Sequence, residues 1–125
     1  MIDPMSAIPA NVDVQSAAKQ LLRKLPANLR ALLVELLEVM ERSAQEHSVP
    51  MTRMELIAER DPEDGTEKIV IRQWVRMPHE AVMDYWAKMG HDIDGWASGL
   101  PEPAADQLGE RVAFAVYPEA ADAAA

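Results

Sequence analysis

The sequence predicts an α+β fold: a three-stranded, mainly antiparallel sheet with helices packed on one face. Three observations carry this. An apolar stripe of helical period runs from Leu29 to Ala44. Two alternating segments flank the turn Asp61-Pro62-Glu63-Asp64-Gly65-Thr66. A third alternating segment, Arg111 to Tyr117, follows another helical stripe. The predicted order is α-α-β-β-α-β.

Residues 1–11, with Pro4 and Pro9, read as a disordered lead. A first helix is expected from a cap at Asn11 or Asp13 to about Lys24. Leu25-Pro26 interrupts it, because the residue before proline is pushed out of the helical region. Pro26 then opens a second helix. Leu29, Leu32, Leu33, Leu36, Leu37, Met40 and Ala44 recur there at steps of three and four, a stripe made for burial. Val34 and Val39 lie off the stripe, as a second packing face or a dimer seam. Val49-Pro50 closes the segment.

Residues 51–77 form a β-hairpin with a testable register. If Asp61 pairs with Thr66, then Glu59 faces Lys68, Ile57 faces Val70, Glu55 faces Arg72 and Arg53 faces Trp74. Opposite charges and a cation–aromatic pair share one face. The other face carries Met54, Leu56, Ala58, Ile69, Ile71 and Val75, with Gln73 the one polar misfit. A one-residue slip would exchange the two faces, so the pattern fixes the pairing.

Pro78 opens a third helix with the stripe Val82, Trp86, Met89, Ile93 and Trp96, ending near Ser98-Gly99. Pro101-Glu102-Pro103 reads as a loop, followed by one helical turn at 104–108. The strand 111–117 returns parallel to the second strand and is expected to dock beside the first, in spatial order 2-1-3. The organisation is therefore one domain over 12–118, with a disordered alanine-rich tail at 119–125.

Composition excludes several chemistries. The 125 residues contain no cysteine, which removes disulfides, thiolate nucleophiles and cysteine zinc clusters, and fits a cytoplasmic location. The start lacks the basic and apolar regions of a secretory signal, and no stretch reaches the length of a membrane span. The net charge is −9; residues 79–125 hold 9 acidic and only 2 basic side chains. That half repels phosphate backbones and suits a basic protein partner.

No motif for nucleophilic catalysis or phosphate binding occurs: no serine sits in a G-x-S-x-G elbow and the five glycines are scattered. The acidic turn at 61–66 fails as a calcium loop, since glycine falls fifth from Asp61 where sixth is required. His79, Glu80, Asp84 and His91 are the weak metal candidates, although no two histidines stand at i, i+4. Arg72, Trp74 and Arg76, with Arg53 opposite, form the one basic–aromatic stripe. It suits a protein interface or single-stranded RNA.

Leu25-Pro26-Ala27-Asn28-Leu29-Arg30, leading into Leu32 to Met40, resembles the leucine-proline helix of small bacterial antitoxin-type proteins over about twenty residues. The hairpin Glu59 to Lys68 and the helix to Trp96 resemble short uncharacterised bacterial proteins. The first resemblance implies binding of a basic toxin, or of DNA as a dimer. The chain has no basic N-terminal element for the latter, and no site residue carries over.

The expectation is a non-catalytic, cofactor-free interaction protein of bacterial type, antitoxin-like or regulatory, that binds a protein partner or itself as a homodimer. Two alternatives stand beside it. One is a small carboxylate- and histidine-dependent hydrolase or metal-assisted enzyme. The other is a single-strand RNA binder through Arg72, Trp74 and Arg76.

Overall fold

A computed structural model describes residues 8, 9 and 11–119. Of the lead expected at 1–11, only residues 8, 9 and 11 are described, with Ile8 packed against the core; of the tail expected at 119–125, only Glu119 is described. The elements are β1 (Val12–Val14), α1 (Ser16–Lys24), α2 (Ala27–Glu46), β2 (Met51–Arg60), β3 (Glu67–Val75), α3 (His79–Ala97), α4 (Glu102–Arg111) and β4 (Val112–Pro118). The fold is mixed α and β, with one four-stranded mixed sheet in the order β1-β2-β3-β4.

The hairpin register is the expected one. Arg53 pairs with Trp74, Glu55 with Arg72, Ile57 with Val70 and Glu59 with Lys68. Its turn closes with the Asp61 N–H donating to the Thr66 carbonyl. Gly65 takes φ +73°, which favours glycine. The turn's carboxylates are used internally. Asp61 accepts the Glu63 N–H, and Asp64 accepts both the N–H and hydroxyl of Thr66. Those two bonds hold the Asp64 carboxyl below its ordinary pKa, the side-chain bond acting most strongly.

Three expectations are corrected. Val12–Val14 is a strand, not the start of a helix; it pairs parallel to β2 through Met54 to Leu56. The last strand docks beside β3, not beside β2, and the two are parallel. The outer edge of β2 is already taken by β1, so β3 offers the remaining place. Finally, 102–111 is a ten-residue helix rather than a loop and one turn, with Pro101 and Pro103 set at its start where a missing N–H costs nothing.

All four helices contribute to one core against one sheet face. Leu22, Leu29, Leu33, Leu37, Met40, Val82, Met89, Ile93 and Leu108 meet Met54, Leu56, Ile69, Ile71 and Val75. Val39 also joins this core. Trp86 and Trp96 pack only partly buried against it. With β1 and β2 pointing one way, β3 and β4 the other, and helices on one face, the two parallel crossovers have opposite hands. One is therefore left-handed, against the strong right-handed rule.

Gln73 points into this core and is fully buried. Its amide nitrogen donates to the Met40 carbonyl at 3.0 Å, and its carbonyl oxygen accepts the Tyr85 hydroxyl at 2.6 Å. The polar misfit of the strand is thus a satisfied tie between α2, β3 and α3.

Candidate functional site

No described helix covers the opposite face of the sheet. Alternation along the strands sends Arg53, Glu55, Arg72, Trp74 and, from β4, Tyr117 onto it. Trp74 occupies the centre of one cross-strand row, with Arg53 on β2 and Tyr117 on β4. The Arg53 guanidinium lies 4.7 Å from the indole centroid. The Tyr117 ring stacks at 5.0 Å with planes 28° apart. Offset stacking and cation–π attraction thus engage the indole from both neighbouring strands.

Glu55 fixes the row from beneath. It is buried, and its Oε1 accepts the Trp74 indole N–H at 2.9 Å and an Arg72 N–H at 3.3 Å. Arg72 also sits 5.4 Å from the Tyr117 ring. Its Nε is buried without a hydrogen-bond partner among the described residues, and the ring beneath the guanidinium offsets part of that cost. At the edge of the cluster Glu119 accepts the Thr52 hydroxyl and approaches Arg53.

The structure therefore brings together Arg53, Arg72 and Trp74, and among the described residues no hydrogen bond, ion pair or cation–π contact joins Arg76 to them. Arg76 follows the end of β3 and is exposed. Sequence reasoning missed Tyr117, because it placed the last strand beside β2, two strands away from Trp74.

The weak metal candidates do not converge. His79 and Glu80 are exposed in the first turn of α3, and Asp84 pairs with Lys88 at 3.1 Å. His91 alone of the four lines a groove of about 420 Å³ between α2 and α3, beside Ser43, Asp92 and Trp96. Among the described residues no three His, Asp or Glu side chains are grouped to hold a metal ion.

Ser43 and Asp92 of that groove join His47 in a constellation that the sequence did not announce. The Ser43 hydroxyl donates to Asp92 at 2.7 Å, and His47 Nε2 lies 3.1 Å from the same carboxylate oxygen. The Ser43 bond is the main reason the Asp92 carboxyl sits below its ordinary pKa. This is not a nucleophilic triad. There the histidine stands between serine and carboxylate and takes the serine proton. Here the carboxylate stands between, accepting the Ser43 hydroxyl and meeting His47 at the same oxygen, and the trio joins α2 to α3.

Comparison of the chain with protein-family models, with curated proteins and with solved structures finds no match in any of the three.

Proposed function

We propose that the chain is a non-catalytic interaction module that grips a protein partner with the open face of its sheet, in a regulatory or antitoxin-like role. The observation that carries this is the row Arg53–Trp74–Tyr117, set in place by Glu55. Tryptophan, tyrosine and arginine are the side chains that most often anchor interfaces. Here their rotamers are held before any partner arrives, which lowers the ordering cost of binding.

A protein partner is favoured over single-stranded RNA by the same geometry. A base needs a free aromatic face on which to stack. The Trp74 indole is already engaged by Arg53 and by Tyr117, and the net charge of −9 opposes a phosphate backbone. The acidic excess makes a basic partner the better electrostatic match.

The test is recovery of the tagged chain from its native host after mild cross-linking, beside Trp74→Ala. One protein recovered in equal amount with the wild type and lost with the variant supports the reading. Recovery of the chain with no stoichiometric partner counts against it.

A further inference from the structure

Among the described residues β4 pairs on one side only, with β3. A free strand edge is a template for another strand, and proteins ordinarily blunt it with charges, bulges, proline or shortness. The two edges of this sheet differ in that respect. At the far edge β1 has three residues, including Asp13, and the part of β2 beyond it ends in Glu59-Arg60. β4 is seven residues long, carries no charge, and holds its one proline at the last position.

The backbone of β4 fits a copy of itself. The Glu119 N–H donates to the Val75 carbonyl, so residues 113, 115, 117 and 119 turn their N–H and C=O groups toward β3. Phe114 and Val116 therefore turn theirs outward. The two outward positions flanking them need no partner N–H: Val112 already donates to Leu108, and Pro118 has none to donate.

We propose that β4 pairs antiparallel with β4 of a second copy of this chain, about a twofold axis at Ala115, joining two sheets into one of eight strands. In that register Phe114 and Val116 of each copy exchange N–H···O=C bonds with Val116 and Phe114 of the other. Every free outward N–H of the strand is used, and Val112 meets the proline that cannot donate. On the open face Ala115 meets Ala115, and small Ala113 leaves space for the opposite Tyr117. No like charges oppose one another. Self-pairing is carried by the outward backbone groups of Phe114 and Val116 and needs neither Trp74 nor Arg53, so either proposal can fail without the other.

Light scattering on the full chain at about 100 μM is expected to give twice the 13.9 kDa of one copy. Val116→Pro removes an outward N–H that bonds nothing within the copy and should halve the mass, although it also trims a buried core side chain. Ala115→Cys provides a readout independent of that variant's folding. Non-hydrogen-bonded pairs across antiparallel strands stand about 4.5 Å apart at Cα, within disulfide reach. This chain has no cysteine, so oxidation of Ala115→Cys should yield a covalent dimer, whereas Ala113→Cys, opposite Tyr117, should not. A wild-type mass of one copy, with its edge left for a strand of some other protein, overturns the proposal. So does a dimer whose Ala115→Cys form stays uncross-linked.

Discussion

Tyr85 donates its hydroxyl hydrogen to the side-chain carbonyl of Gln73 at 2.6 Å, with both residues buried beneath α2. Gln73 in turn holds the Met40 carbonyl. Gln73→Leu leaves the Tyr85 hydroxyl without this acceptor and should cost about 1–3 kcal/mol. Tyr85→Phe added to it removes the orphaned hydroxyl, so the pair should be more stable than Gln73→Leu alone. Urea denaturation of the four proteins measures the coupling.

Burial pushes the Tyr85 phenol up to about 12. The folded state thus holds this proton more tightly than the unfolded state, whose value is 10.0. The resulting stabilisation is complete below pH 10 and is lost as pH rises toward 12. Tyr85→Phe should lose that alkaline dependence, as followed by denaturant midpoints between pH 9 and about pH 12.

Asp92 shows the opposite sign. Its carboxyl is lowered by the Ser43 hydroxyl first and by His47 less strongly, against desolvation. Its contribution is present above the unfolded carboxylate value and is lost as pH falls through the folded one. Ser43→Ala should raise the Asp92 pKa toward normal, visible in its carboxyl carbon NMR shift. At pH 7 the variant should be destabilised by about 1 kcal/mol, and at strongly acidic pH by less.

Glu55 tests the open face. Glu55→Ala strips Arg72 and the Trp74 indole of their shared acceptor and should cost about 2 kcal/mol, with altered tryptophan fluorescence. Glu55→Gln can keep the indole bond while losing the charge, and should retain more of the stability and the wild-type emission. Equal losses in the two variants would contradict an anchoring role for the indole bond.

Gly65 tests the turn. Alanine there has space, since nothing stands within 4 Å of an added Cβ, but must adopt φ +73°. Gly65→Ala should cost about 1 kcal/mol by thermal denaturation, through the backbone alone.

The hairpin was legible down to its pairing because its information is local. One turn with proline and glycine at fixed places, and two charge patterns that survive only one register, leave a single solution. The helix over His79–Ala97 was legible for a similar reason, since its apolar spacing outweighs Gly90 and Gly95. α4 was not, because Pro101 and Pro103 read as a loop until their position at a helix start is known.

By itself the sequence determined the mixed α and β class, the hairpin register and the residues Arg53, Arg72 and Trp74 on one face. Only the tertiary structure decided which strand stands beside Trp74, what Gln73 is for, and that Ser43 and His47 meet Asp92. The reason is range. Periodicity and turns act between residues close in the chain, whereas the place of β4 depended on β1, about a hundred residues earlier, already holding the other edge of the hairpin.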